Sequence, residues 1–153
     1  MIISKNLPQF ETSPSLFIVS GDYEALFYFA FKGNILLKEK IRMAPREEAK
    51  EKQAFVGHKS GMRSLSAVSH EGKYDNDLKL KFAQKVIQTT NELINQYEIK
   101  DLYIFSPKYV SNRLLKGLNK SDKEKVLLRF WGEYTKESPF DLIRMIKSKF
   151  EEQ

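Results

Sequence analysis

The segment 78–118 limits the folds open to this chain more than any other part of the sequence. Apolar residues recur at helical spacing over 78–97, and the apolar run 102–105 that follows is typical of a buried strand. Ser106-Pro107 ends that strand because proline cannot donate to a sheet, and a second helical pattern covers 108–116. Helix, buried strand and helix in this order predict an α/β fold.

The first 42 residues predict an antiparallel meander. Three runs rich in aromatic and β-branched residues are separated by the short turn signals Gly21-Asp22 and Lys32-Gly33-Asn34. The runs cover 16–19, 24–31 and 35–42. Turns this short join antiparallel strands, since parallel pairing needs a longer crossover. Residues 1–14, with two prolines, are predicted to form a loose N-terminal arm.

The C-terminal part completes the predicted sheet. Residues 126–131 favour a last strand, although 123–125 could equally extend a helix into this run. Ser138-Pro139 is a cap and first residue typical of a final helix. Gly117 is placed to end the helix before it in a left-handed cap. We therefore predict a single α/β domain over 15–153. Its mixed five-stranded sheet would be an antiparallel meander followed by β-α-β-α, with helices packed on it, in a ribonuclease-H-like layout.

Residues 44–75 interrupt this pattern. Residues 45–52 are charged and rich in helix formers, which fits either a helical turn or a solvated linker. Periodicity disappears over 55–75, where three glycines occur, and the next helix is expected to begin near Asp75 or Asn76. A long loop without structure of its own is usually functional in a compact domain, or else it is disordered. We therefore expect the functional residues in this segment. The alternative is that the segment is a flexible insertion with no function.

Composition excludes several classes of chemistry. The sequence has no cysteine and only 2 histidines, which excludes disulfides, thiolate catalysis and cysteine-based zinc sites, and no metal or other cofactor is implied. No secretion signal is recognisable, and no apolar run approaches the roughly 20 residues that span a bilayer. We expect a cytoplasmic protein. The net charge of +6 favours an anionic partner such as RNA.

Four segments carry a resemblance to a known family. They are the hairpin 17–27, the helix start 80–83, the strand 102–107 and the triplet 113–115. Together they resemble the bacterial host attachment proteins, a family similar to the middle domain of archaeal and eukaryotic class 1 peptide-chain release factors. The resemblance covers roughly 15–150. It implies the fold predicted above and a partner in translation, such as the ribosome or tRNA.

In release factors the loop before the long helix carries a Gly-Gly-Gln tripeptide that promotes ester hydrolysis on the ribosome. The corresponding loop here has glycines and positive charge but no Gly-Gly-Gln, so the resemblance does not imply release activity. The candidate contacts for RNA or a protein partner in this loop are Gly57, His58, Lys59, Gly61 and Arg63. A secondary basic edge is predicted at Arg113, Lys116, Lys120 and Lys123.

Catalytic patterns are weaker than these binding features. A ribonuclease-H-like nuclease needs carboxylates that converge on two metal ions, and one of them usually lies in the middle of the first strand, where 16–19 has none. Asp22 and Asp101 are expected as turn or cap residues. His58 or His70 would serve as a general base in a hydrolase of esters or phosphodiesters. No catalytic triad or nucleotide-binding fingerprint is recognisable.

Three hypotheses remain. The first is a non-enzymatic release-factor-like domain that binds RNA or the translation machinery through the basic glycine-containing loop. The second is a hydrolase that uses a loop histidine. The third is an interaction module, with a homodimer formed through the aromatic strand 26–31. Trp131 and Tyr134 are expected in the core or at its edge rather than as stacking surfaces for bases.

Overall fold

The structure is a computed structural model that describes residues 1–43 and 63–152, with the backbone alone for 63–75. Its strands are β1 (Ser15–Ser20), β2 (Glu24–Phe31), β3 (Asn34–Arg42), β4 (Asp101–Ser106) and β5 (Val126–Trp131). Its helices are α1 (Arg63–Tyr97), α2 (Lys108–Gly117), α3 (Lys120–Glu124) and α4 (Pro139–Glu151). In the described part of the chain, no helix has the length and apolar character needed to cross a membrane.

The strands form one mixed sheet in the order β3-β2-β1-β4-β5. β1 pairs antiparallel with β2, and β2 pairs antiparallel with β3, as the short turns require. β4 lies parallel to β1 on its other side, and β5 lies parallel to β4. The predicted α/β domain with a mixed five-stranded sheet is confirmed, while its ribonuclease-H-like description stays a prediction.

Both faces of the sheet are covered. Because side chains alternate along a strand, Leu16 and Ile18 face α1 and α2, whereas Phe17 and Val19 face α4 and the N-terminal arm. The fully buried strand β1 therefore belongs to two apolar clusters at once. This central position explains why its sequence is a continuous apolar run.

The prediction that 44–75 is a loop was wrong for its last part. The helix α1 begins at Arg63 rather than near Asp75. Gly72 and several serines suggested a loop, but a single glycine inside a helix costs only about 1 kcal/mol, which a long helix tolerates. Residues 44–62 lie outside the described residues.

The prediction of a loose N-terminal arm was also wrong. Ile3 and Leu7 are buried among the side chains that face α4. The backbone N–H of Ile3 donates to the carbonyl of Gly33 at 2.8 Å, and Ile2 forms an isolated bridge with Asn34. Burial of these apolar side chains on the α4 side of the sheet holds the arm in place.

The helix ends show one confirmed cap and two corrections. The side chain of Ser138 accepts a hydrogen bond from the backbone of Asp141, with Pro139 in the first turn, as predicted. Asn119 caps α3, a short helix where a loop was expected. Gly117 does not adopt the left-handed conformation, which the described glycines show at Gly33 and Gly132. Glycine is required at this position because the backbone of Gly117 lies close to the side chain of Ile87 in α1.

Candidate functional site

The residues predicted to bind RNA fall mostly beyond what the structure describes. Gly57, His58, Lys59 and Gly61 lie outside the described residues. Arg63 is the first residue of α1, and His70 lies further along that helix, but the side chains of both lie outside the description. The loop contacts and the catalytic histidine therefore stay predictions.

The strand that precedes this loop ends on the same side of the sheet as three others. β3 runs parallel to β1, because each is antiparallel to β2, and β4 and β5 are also parallel to β1. The carboxyl ends of β1, β3, β4 and β5 thus form one rim, which we call the carboxyl edge. Ligands of open α/β sheets bind outside such an edge, where the direction of the connections changes.

At the carboxyl edge, Asp22 follows β1 and Tyr109 lies in the first turn of α2. The Tyr109 hydroxyl donates a hydrogen bond to Asp22 Oδ1 at 2.5 Å. This hydrogen bond is the main reason why the pKa of Tyr109 is raised to about 12. Burial and the negative charges of Asp22 and Glu133 raise this pKa further, whereas the positive charge of Arg113 lowers it. Asp22, expected as a turn residue, therefore also ties the end of β1 to α2.

A cavity lies beside this hydrogen bond. It has a volume of about 20 Å³ and is lined by the turn after β1 together with α1 and α2, including Gly21, Asp22, Phe82 and Arg113. That volume holds about one water molecule, far below the roughly 300 Å³ of a small-molecule site. This cavity is therefore too small to enclose a ligand of that size.

The predicted secondary basic edge is divided in the structure. Arg113 lines the small cavity, whereas Lys116 and Lys123 line a shallow depression of about 390 Å³ together with Arg129. Lys120 is exposed on α3. Arg129, which the sequence analysis did not select, is therefore a better partner of Lys116 and Lys123 than Arg113 is.

Trp131 corrects a further expectation. The side chain was expected in the core or at its edge, but 52% of its surface is exposed at the end of β5. Lys108 Nζ lies 4.9 Å and Arg129 Cζ 5.8 Å from the ring centroid. The alternation of β5 was the signal, because Leu128 and Phe130 face the core and leave the odd-numbered side chains outside.

Metal chemistry receives no support from the part of the chain that the structure describes. Within it, no group of three or more histidine, cysteine, aspartate or glutamate side chains is placed to hold a metal ion. Asp22 and Glu133 are the acidic side chains near Gly21, and the arginine and tyrosine beside them make this a mixed polar cluster. Its geometry suits hydrogen bonding more than metal-assisted hydrolysis.

Solved structures provide a comparison for this arrangement of sheet and helices. The fold resembles that of the archaeal translation termination factor aRF1. The TM-score is 0.51 at 9% identity, and the match covers 90% of this chain and 39% of aRF1. The chain thus spans about two fifths of that factor's length. At this identity the likeness to aRF1 concerns the fold.

Two further solved structures match less well. One is S. cerevisiae Dom34, described as a translation termination-like factor, with a TM-score of 0.47, 13% identity, and 93% of this chain matched to 40% of Dom34. The other is an archaeal protein with a TM-score of 0.44 and 8% identity, matching 90% of this chain to 38% of its own. No protein-family model and no curated protein matches the chain. Membership of the host attachment family therefore stays a prediction beside the aRF1-like fold.

The bond between Tyr109 and Asp22 leads to a pH prediction. The folded state holds the Tyr109 pKa at about 12 against an ordinary 10.0, so the protonated phenol stabilises the fold below pH 10 and loses this effect as the pH rises through 12. Tyr109→Phe should lower the free energy of unfolding at neutral pH by about 1 kcal/mol or less, since the pair is exposed. Urea unfolding across this pH range measures the difference, and a difference that does not change with pH would contradict the assignment.

Proposed function

We propose that this chain is a release-factor-like domain that acts in translation by binding RNA or the ribosome, without catalysing a reaction. The observation that carries the proposal is the likeness of its fold to the archaeal translation termination factor over 90% of the chain. The segment Gly57–Arg63 would supply the contact, through Lys59, Arg63 and His58. A protein that binds the ribosome would also be cytoplasmic.

The position of this segment in the chain supports the proposal. β3 ends at Arg42 on the carboxyl edge, and α1 begins at Arg63, so the intervening residues connect the edge strand to the long helix. Met43 is still held there, because its N–H donates to the carbonyl of Tyr23 at 2.8 Å. Lys59 and Arg63 belong to the connection that follows this anchor, and their positive charges are the groups that would contact phosphates.

Binding is favoured over hydrolysis by the sequence of the segment. The chain contains no Gly-Gly-Gln, the tripeptide that would promote ester hydrolysis in a release factor. The net charge of +6 supplies the long-range attraction that RNA binding needs. Membership of the host attachment protein family belongs to the same proposal, since that resemblance points to the same release-factor relatives.

The two alternatives have less support. A hydrolase would depend on His58 or His70, whose side chains the structure does not describe. A homodimer through 26–31 meets a structural difficulty, because β2 is paired on both sides and most of its side chains are buried. Only the partly exposed side chains of Phe29 and Phe31 would be open to a second copy through that strand.

The test reverses the charge of the proposed contact. The double variant Lys59→Glu/Arg63→Glu should weaken co-sedimentation with ribosomes at low salt by about tenfold or more, and the slope of log affinity against log salt should shrink by about 2. Glutamate at the first residue of α1 suits the helix dipole, so the fold should persist.

The matched control places the same charge change at the opposite edge of the sheet. Lys5 and Lys100 are exposed, and Lys100 precedes the amino end of β4. Lys5→Glu/Lys100→Glu should sediment with ribosomes as the unmodified chain does, apart from a small non-specific loss. Equal losses in the two double variants would show that net charge, and not this segment, governs binding. Unchanged sedimentation of Lys59→Glu/Arg63→Glu would refute the proposal.

A further inference from the structure

The end of β5 carries an aromatic side chain that the core does not use. Trp131 is the single tryptophan of the sequence, and 52% of its surface is exposed. Tryptophan is ordinarily among the more buried residues, and its large ring contributes most when a partner covers it. β5 is also an outer strand, paired with β4 alone in the described sheet. About half of the surface of this residue is therefore open to solvent at the outer strand of the sheet.

Two cations accompany this ring. Lys108 Nζ is 4.9 Å from the ring centroid, and Arg129 Cζ is 5.8 Å from it. The guanidinium of Arg129 also donates to Asn112 Oδ1 at 3.3 Å, which fixes its position beside α2. Lys108 has a long exposed side chain that can swing aside. We call Lys108, Arg129 and Trp131 the Trp131 platform.

Positive charge continues from the platform along α2 and α3. Arg129 also lines the depression of about 390 Å³ that contains Lys116 and Lys123. Of the nearby acids, Asp122 is bound to Lys125 at 3.1 Å, and Glu133 lies against Gly21. The exposed Glu124 is the remaining acid of α3. Arg129 thus joins an exposed aromatic ring to a row of lysines.

We propose that the Trp131 platform is a contact for unpaired RNA nucleotides, in which a base stacks on the indole and the neighbouring phosphates meet Lys108, Arg129, Lys116 and Lys123. This inference rests on the proposed RNA-binding function and adds a second contact to it. A stacked base gains more from an exposed indole than a lysine ammonium does, so it displaces Lys108 from the ring towards the phosphate.

The geometry favours a single strand over other anions. In a duplex the base faces are covered by their neighbours, so an indole on a protein surface cannot stack on them. An acidic peptide would use the cations but would leave the ring without a flat partner. Because β5 and β3 end on the same carboxyl edge, a strand held at the platform would lie on the side of the sheet from which 44–62 departs.

The experiment uses the tryptophan as its own probe. Since Trp131 is the single tryptophan of the chain, stacking of a base should quench intrinsic fluorescence that arises from the proposed site. We expect saturable quenching by a short oligoadenylate. A duplex RNA of equal charge and polyglutamate should quench little. Equal quenching by the duplex or by polyglutamate, or the absence of quenching by the oligoadenylate, would overturn the proposal.

Affinities of variants follow from the anisotropy of a labelled oligoadenylate. Trp131→Leu and the double variant Lys108→Gln/Arg129→Gln should each weaken binding by about tenfold, and Trp131→Phe should restore part of the loss. Lys100→Gln, at the opposite edge, should bind as the unmodified chain does. Circular dichroism reports whether each variant is folded. If folded Trp131→Leu and the double variant both bind normally, the platform does not contact RNA.

Failure of this site is distinguishable from failure of the proposed function. Lys59→Glu/Arg63→Glu should keep the quenching by oligoadenylate, because its changes lie outside the platform. Lost ribosome sedimentation in that variant, with no quenching of the native chain, refutes the platform and leaves the proposed function standing. Clear quenching with unchanged sedimentation of that variant supports the platform and refutes the loop contact.

Discussion

Replacing Phe17 with alanine is expected to lower the free energy of unfolding by about 3–5 kcal/mol. Phe17 is fully buried in β1. Its ring centroid lies 5.6 Å from that of Phe10, 5.4 Å from that of Tyr103 and 5.8 Å from that of Phe105. Truncation removes apolar burial and leaves a cavity between the arm, β4 and α4, which relaxation can fill only in part.

Urea unfolding measures the Phe17→Ala effect, and two further variants bracket it. Phe150→Ala changes the same residue type at an exposed position of α4, and its cost should be below about 1 kcal/mol. Phe17→Leu keeps much of the volume and should cost less than Phe17→Ala. Since domains of this size are stable by about 5–15 kcal/mol, Phe17→Ala should unfold at a much lower urea concentration and still give a measurable transition. Equal costs at Phe17 and Phe150 would contradict the two-faced core.

Gly117→Ala is expected to destabilise the domain by about 1–2 kcal/mol. A Cβ at Gly117 would lie 2.3 Å from Ile87 Cδ1 and 2.8 Å from Ile87 Cγ1, which forces α2 or the isoleucine to move. Overpacking of this kind costs about 1–3 kcal/mol, and the better helix propensity of alanine offsets up to about 1 kcal/mol. Chemical denaturation gives the net value.

A double-mutant cycle isolates the reason for the Gly117→Ala effect. Ile87→Ala removes all three atoms that the new Cβ would meet. In that background Gly117→Ala should cost nothing or stabilise, because only the helix propensity remains. Lys116→Ala, at the exposed neighbouring position, should change stability by less than about 0.5 kcal/mol. If Gly117→Ala destabilises the Ile87→Ala variant as much as the unmodified chain, contact with Ile87 is not the cause of the destabilisation.

The strands were predictable because their signals are local. β1, β2 and β4 are apolar or aromatic runs bounded by glycine, asparagine or proline, and a strand buried on both faces needs little more. The cap at Ser138 was equally local, because the serine and its partner at Asp141 lie within one turn. Such features depend on residues that are neighbours in the sequence.

The features that were missed depend on distant neighbours. Tyr109 and Asp22 are 87 residues apart, so the sequence near either residue cannot predict their hydrogen bond. The sequence around Gly117 predicts only a helix end. Its close contact with Ile87 depends on how α1 and α2 pack against each other. Trp131 resembles a core residue until β5 is known to be an outer strand. The division of the predicted basic edge between two depressions likewise depends on how α1, α2 and β5 pack, and its role in binding stays a prediction.

The covering of β1 by the last helix has a consequence during synthesis. Phe17 and Val19 pack with Leu142, Ile143 and Ile146 of α4, and β1 pairs with β4, which begins at Asp101. When β1 to β3 leave the ribosome, neither partner has been made. The face of the nascent meander that α4 covers must therefore stay exposed until α4 has emerged, and during that interval the chain is most prone to aggregation and most dependent on chaperones.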